Sequence, residues 1–313
     1  MIDIPPVLVL IFNRPDKTEL LIKHLSTVKP QKLYIAADGP RSEKESQLTE
    51  KTRKVIEEHI NWDCEIQKRY RSENLGLRVA VSSAIDWFFE SERAGVILED
   101  DCLPDPTFFQ FCKELLEKYK DNDQIMHISA LNSFPKPTDL NGYHFSIYPK
   151  SWGWATWKRA WEKYDDSIEK YQVATKSDKW SEMFQTSLGM TFWKLIIEKM
   201  SIRKSRMRST SWAYFWTLSV RYHDGLCINP NVNTIKNIGF DLDATNTSES
   251  GDFSDYMRNI AVESIQFPLI HPSDIKSDKE EDHKFLKYHL INSRTRRFLI
   301  YLKMIFPFLK PLK

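Results

Sequence analysis

Three consecutive acids, Glu99-Asp100-Asp101, close the apolar run Gly95-Val96-Ile97-Leu98. Adjacent carboxylates at a strand end repel one another unless a cation or a hydrogen-bond donor relieves them. Hard oxygen ligands of this kind suit Mg2+ or Mn2+, which one or two carboxylates hold together with the phosphates of a substrate. A solvated turn leading into Pro104 accounts for the same residue types, and position decides between the two. Asp38, in Asp38-Gly39-Pro40, could accept a hydrogen bond from a base or a ribose, or could cap its own turn. Arg14, Arg71 and Arg78 could hold phosphate oxygens through charge-assisted bonds, or form surface ion pairs. Two tryptophan-rich segments, Ser151-Trp152-Gly153-Trp154-Ala155-Thr156-Trp157 and Trp212-Ala213-Tyr214-Phe215-Trp216, could offer flat faces to sugar C–H surfaces or belong to the core.

Several other chemistries are excluded. The chain has nine glycines in 313 residues and neither G-x-G-x-x-G nor G-x-x-x-x-G-K-[ST], which argues against a glycine-cradled dinucleotide site or a P-loop. Cys64, Cys102, Cys112 and Cys227 form no C-x-x-C pair and suit a reduced cytoplasmic compartment. The eight histidines include no H-x-x-x-H or H-x-H pair, so a histidine-based zinc site is not expected. Ser129 and Ser211 lack a nucleophile-elbow context. The N-terminal residues show no signal peptide, and no run reaches the ~18 to 20 apolar residues of a spanning helix. A hydrophobic share of 41% and a charged share of 28% describe a globular chain. The net charge of +2 hides an asymmetry: residues 284–313 carry eight Lys or Arg and no acid, which leaves the rest acidic. A nucleic-acid binder would spread its positive charge across the fold, so no nucleic-acid partner is expected.

The first ~130 residues read as alternating strands and helices. Strands are expected at Val7–Phe12, Lys32–Ala37, Glu65–Arg71, Gly95–Leu98 and Ile125–Ala130. Helices follow Pro15, span Ser42–His59, Leu77–Glu90 and Thr107–Lys120. This order predicts an α/β fold with a Rossmann-like, mostly parallel sheet flanked by helices. Ligands of such sheets sit at the carboxyl ends of the strands, where Asn13-Arg14, Asp38-Gly39 and Glu99-Asp100-Asp101 would share one edge.

Phe12-Asn13-Arg14-Pro15, Ala37-Asp38-Gly39-Pro40, Asn74-Leu75-Gly76-Leu77 and Leu98-Glu99-Asp100-Asp101-Cys102-Leu103-Pro104 occur in that order. Trp152-Gly153-Trp154-Ala155-Thr156-Trp157 and Asn229-Pro230-Asn231-Val232-Asn233 follow. Together, over about residues 5 to 250, they resemble bacterial GT-A glycosyltransferases related to N-acetylglucosaminyltransferase I. The resemblance implies a GT-A fold and an inverting, metal-dependent transfer of sugar from a nucleotide-diphospho-sugar donor. The acceptor would be a glycan or a lipid-linked glycan of bacterial surface polysaccharide synthesis. It implies Asp101 as the ligand of a divalent metal (Mn2+ or Mg2+), Asp100 and Glu99 at the donor ribose or sugar, and Asp38 at the base. Asn13, Arg14, Asn74 and Arg78 would line the nucleotide pocket, and Trp154, Trp212 and Tyr214 would meet the acceptor.

One position departs from the family pattern. Relatives carry Trp-Asp-Tyr-x-Trp where this chain reads Trp212-Ala213-Tyr214-Phe215-Trp216, and that aspartate is the natural general base. Either Ala213 is an inactivating replacement, which the intact flanking aromatics favour, or another acid such as Asp224, Asp241 or Asp243 acts, or the protein is catalytically silent. The rival readings are a nucleotidyltransferase and a silent carbohydrate-binding protein. The expected organisation is a transferase domain over residues 1–272, split into a nucleotide-binding half (1–131) and an acceptor half (132–272), a solvated linker (273–284) and a basic amphipathic helical tail (285–313). The tail fits the interface of an anionic membrane, at its inner face, and equally a helix packed on protein.

Overall fold

The computed structural model describes residues 4–136, 138–205, 211–239 and 252–291, with 298, 300, 302, 304 and 305 beyond them. The first half alternates as the apolar spacing requires. In chain order it comprises β1 (Val7–Ile11), α1 (Pro15–Val28), β2 (Lys32–Ala37), α2 (Glu43–His59), β3 (Glu65–Tyr70), α3 (Leu77–Ser91) and β4 (Ala94–Glu99). After it come β5 (Cys102–Pro104), α4 (Pro106–Lys118) and β6 (Ile125–Ser129). All five residues of β1 are buried, as a strand covered on both faces must be. Helix starts follow local chemistry. Pro15 opens α1, the Ser42 hydroxyl accepts from Glu45 N, and the Asp105 carboxylate accepts from Thr107 N ahead of Pro106.

The second half adds β7 (Tyr143–Ser146), β8 (Trp154–Trp157), α5 (Lys158–Trp161), α6 (Ile168–Ala174), α7 (Lys179–Phe184) and α8 (Ser187–Ser205). The chain continues through α9 (Trp212–Tyr222), β9 (Leu226–Pro230), β10 (Ile235–Asn237), α10 (Asp252–Asn259) and α11 (Lys279–Lys284). Eight strands form one sheet in the order β3-β2-β1-β4-β8-β6-β9-β7, and β5 pairs with β10 in a separate antiparallel ribbon.

β1, β2, β3 and β4 are mutually parallel, while β8 runs antiparallel between β4 and β6. The sheet is thus the expected α/β, Rossmann-like arrangement in its first half and mixed in its second. The chain steps outward from β1 to β2 and β3, then returns past β1 to β4. Right-handed crossovers place α1 and α2 on one face and α3 on the other, and the reversal leaves a crevice outside the carboxyl ends of β1 and β4. This switch point is where Arg14 and the acidic triplet emerge.

The end of the chain differs from expectation. Residues 273–284 do not form a solvated linker: Ser277 bridges to Phe145, and α11 buries Glu281 and Asp282. The reason is local. Asp282 accepts from Ser146 Oγ at 2.5 Å and from Ile147 N at 3.2 Å, so its charge is satisfied against β7 rather than by water. A single π-helical turn, Phe285–Leu290, continues the segment with Phe285 and Leu286 buried. Among the described residues no helix is long and apolar enough to cross a membrane. Most of the expected amphipathic tail lies outside the described residues.

Candidate functional site

The parallel register fixes which side chains meet. Leu10 pairs with Glu99 and Ile11 with Ala37, so the chain leaves β1, β2 and β4 side by side through Asn13-Arg14, Asp38 and Asp100-Asp101. Arg14 spans both aspartates. Its Nη2 contacts Asp100 Oδ1 and its Nη1 donates to Asp101 Oδ2 at 3.1 Å. Burial opposes the Arg14 charge, but Asp100 and Asp101 more than offset this and raise its pKa. Asp100 is 2% exposed, and burial pushes its carboxyl up to about 6 against the pull of Arg14.

Glu99 is in a different state. Its carboxyl makes no hydrogen bond or ion pair among the described residues, and desolvation followed by the charges of Asp101 and Asp100 pushes it up to about 8. Three acids therefore share one guanidinium. Asp101 also receives a 3.5 Å contact from Asn237 Nδ2 of β10, which draws the second half of the chain to the acidic strand end. The Asp101 carbonyl accepts from Ile238 N, and the Ile238 carbonyl accepts from Lys17 Nζ at 2.7 Å.

Asp38 organises the neighbouring loop. Its carboxylate accepts from Asn74 Nδ2 at 3.0 Å, Leu75 N at 3.0 Å and Gly76 N at 3.2 Å, as well as from Gly39 N. Gly76 has φ +76, a conformation that side chains resist, and Gly39 lies so close to Glu73 that a Cβ would overlap its backbone. Arg78, two residues into α3, pairs with Asp166 and lies 6.0 Å from the Phe215 ring of α9. Asn13 Nδ2 donates to Glu45 Oε1 at 3.2 Å, tying the β1 exit to the first turn of α2. Arg71 donates to Ser83 Oγ instead of facing the crevice partners.

The remaining expected residues separate from this group. Trp154 and Trp212 are buried, with ring centroids 5.6 Å apart and nearly parallel, and Trp154 also stacks on His127 at 4.9 Å. Trp216 Nε1 donates to His127 Nδ1, which leaves His127 Nε2 to donate to the Lys150 carbonyl. These rings are core, and neither Trp154 nor Trp212 presents a face to a ligand. Tyr214 is half-buried, edge-on to Trp193. Ala213 stands half-buried in the first turn of α9. Asp224 lies beyond the other end of α9 and is held by Lys179 at 2.8 Å, so it does not stand in for an acid at 213. Asp241 and Asp243 lie outside the described residues.

No group of three or more His, Cys, Asp or Glu side chains among the described residues forms a cluster able to hold a metal by itself. The donor set nevertheless fits a hard cation that substrate phosphates help to hold: Glu99 is an acid without a partner beside Asp101, and such ions need only one or two carboxylates.

No family model and no curated protein matches the chain. Among solved structures it is similar to HddC from Yersinia pseudotuberculosis, at 11% identity over 51% of this chain and 80% of that one, with a TM-score of 0.31. It is similar to 4-diphosphocytidyl-2C-methyl-D-erythritol synthase from Anaerococcus prevotii at 10% identity, over 54% of this chain and 77% of that one, with a TM-score of 0.32. An apo UDP-glucose pyrophosphorylase matches at 8% identity over 74% of this chain and 91% of that chain, with a TM-score of 0.32. Likenesses this faint assign no chemistry.

Proposed function

We propose that this chain binds a nucleotide-diphospho-sugar at the switch point and belongs to an inverting glycosyltransferase of the GT-A type, with a glycan or lipid-linked glycan as acceptor. The observation that carries the reading is the convergence of Arg14, the Asp38-held loop and Glu99-Asp100-Asp101 on one sheet edge. A crevice with a guanidinium at its base and a rigid backbone loop at its rim suits an anionic ligand with a polar ring.

Each residue has a defined task in this reading. Asp38 fixes the 74–76 loop that flanks the base, and Arg14 holds Asp100 and Asp101 in position and offers charge to the diphosphate. Asp101, with Glu99, would hold Mn2+ or Mg2+, which when bound neutralises the charge that grows on the departing nucleoside diphosphate. Arg78 at the start of α3 lies where a further phosphate or sugar oxygen would pass. The acceptor hydroxyl needs a proton acceptor on the opposite face, and Ala213 supplies none. The chain as it stands therefore binds donor and transfers slowly. The same alanine favours a second reading, a silent carbohydrate-binding protein. A nucleotidyltransferase would carry a glycine-rich loop after its first strand, whereas here β1 leads into Phe12-Asn13-Arg14-Pro15.

Calorimetry with UDP-, GDP-, dTDP- and CMP-sugars, with and without Mn2+, tests the proposal. Nucleotide binding that depends on the metal supports it, and sugar binding without any nucleotide binding supports the silent reading instead.

A further inference from the structure

Arg14 grips the acidic strand end through three separate nitrogens. Its Nη2 contacts Asp100 Oδ1, its Nε donates to Asp100 Oδ2 at 3.4 Å, and its Nη1 donates to Asp101 Oδ2 at 3.1 Å. The other Asp101 oxygen is covered as well: Oδ1 accepts from Cys102 Sγ at 3.4 Å and from Asn237 Nδ2 at 3.5 Å. Gly239 closes on the same carboxylate, where an added Cβ would lie 2.2 Å from Oδ2. Both oxygens of the acid assigned to the cation therefore already have donors from this chain.

The two aspartates are not held alike. Asp100 takes two of the arginine nitrogens, one on each oxygen, whereas Asp101 takes a single one. The side chains are 3% exposed for Asp100, 15% for Asp101 and 29% for Arg14, so the Asp101 bond is also the more accessible. Breaking it leaves the buried pair with Asp100 intact. The backbone of Arg14 is fixed at the start of α1, its carbonyl accepting from Thr18 N at 3.0 Å, so a change of partner falls to the side chain. A guanidinium and a divalent cation on one carboxylate repel each other strongly.

We propose that Arg14 is a latch on the donor site: it holds Asp101 until a diphosphate draws the Nη1 arm away and so frees Oδ2 for the divalent cation. The inference rests on the donor reading above. Phosphate oxygens are the fitting competitor, because the planar guanidinium matches them as it matches a carboxylate. The latch makes nucleotide and metal binding support each other, since whatever draws Arg14 to phosphate also opens Asp101. It also keeps divalent cations off the carboxylate until the nucleotide arrives.

The test is titration of Mn2+ alone, with free Mn2+ read by electron paramagnetic resonance, into the full chain, Arg14→Gln and Arg14→Lys. Thermal melting shows which variants fold, and calorimetry with UDP, GDP and dTDP in the presence of Mn2+ reads nucleotide binding separately. Without nucleotide, Arg14→Gln should bind Mn2+ about ten-fold more tightly than the wild type. Arg14→Lys should also bind it more tightly, because one ammonium serving Asp100 has no second arm for Asp101. That variant keeps a charge beside buried Asp100 and guards against a folding defect in Arg14→Gln. Wild-type or weaker Mn2+ affinity in every variant that folds would overturn the latch, while nucleotide binding that still needs Mn2+ would leave the donor reading standing. Tighter Mn2+ binding by the variants, in a wild-type chain that binds none of the three nucleotides, would keep Arg14 as the block on Asp101 and overturn the donor reading.

Discussion

At position 213 a methyl group occupies the first turn of a helix whose start lies near Arg78, through Phe215, on the rim of the proposed donor crevice. An aspartate there would add a proton acceptor, and the helix N-terminus would tolerate its charge. Ala213→Asp is expected to raise sugar transfer by about 100- to 10,000-fold with little change in melting temperature. An unchanged rate in a donor-plus-acceptor assay would show that 213 is not the base position. Asp38 carries a different burden, since four donors converge on one carboxylate. Asp38→Ala leaves the amides of Leu75 and Gly76 without that acceptor, and each group so orphaned when buried costs about 1–3 kcal/mol. The expected result is weaker nucleotide binding together with lowered stability. Nucleotide affinity equal to wild type would remove the loop from the donor pocket.

The central parallel strands β1, β2 and β4 could be read from sequence because they are apolar runs, and their ends fix which polar residues emerge together. β2 keeps its expected bounds, β1 ends one residue earlier and β4 extends one residue further at each end, and the shared edge of Arg14, Asp38 and the acidic triplet follows from the pattern. The three-residue strands β5 and β10 could not be read, because strands so short exist only through pairing with each other. That pairing is what brings Asn237 to Asp101. The tryptophans were ambiguous for a different reason. A ring type states its size and not its neighbours, so Trp154 and Trp212 in the core carry no sequence mark that separates them from Trp152 at the edge. The charged stretch 273–284 concealed α11, since composition does not reveal that Ser146 and Ile147 await a carboxylate. Asp282→Ala is accordingly expected to destabilise the chain by about 1–3 kcal/mol through the unpaired groups it leaves. A denaturation midpoint equal to wild type would contradict this account of how the sheet edge at β7 is closed.

Across the whole molecule, one long sheet joins a half that gathers charge at the switch point to a half built on stacked aromatic rings. Two buried histidines are held neutral. Burial lowers His127 to about 3 and His144 to about 4, from an ordinary value of 6.5. The unfolded chain binds protons at these positions first, so their contribution is complete above pH 6.5 and is lost as pH falls toward those values. Glu99, Asp100 and Asp282 are shifted upward and act in the opposite direction, losing their contribution as pH rises. His144→Gln should therefore flatten the loss of stability between pH 6.5 and about 4 in urea titrations. A slope identical to wild type would show that His144 is not buried in the neutral form. The proposed donor site requires that the acidic strand end, together with a divalent cation, hold the diphosphate of a nucleotide. Its most direct test is calorimetric titration of the full chain and of Asp101→Asn with a nucleoside diphosphate, each with Mn2+ and with chelator. Binding by the wild type that needs Mn2+ and is lost in Asp101→Asn is the predicted result, and equal affinity in all four titrations is the result that would contradict it.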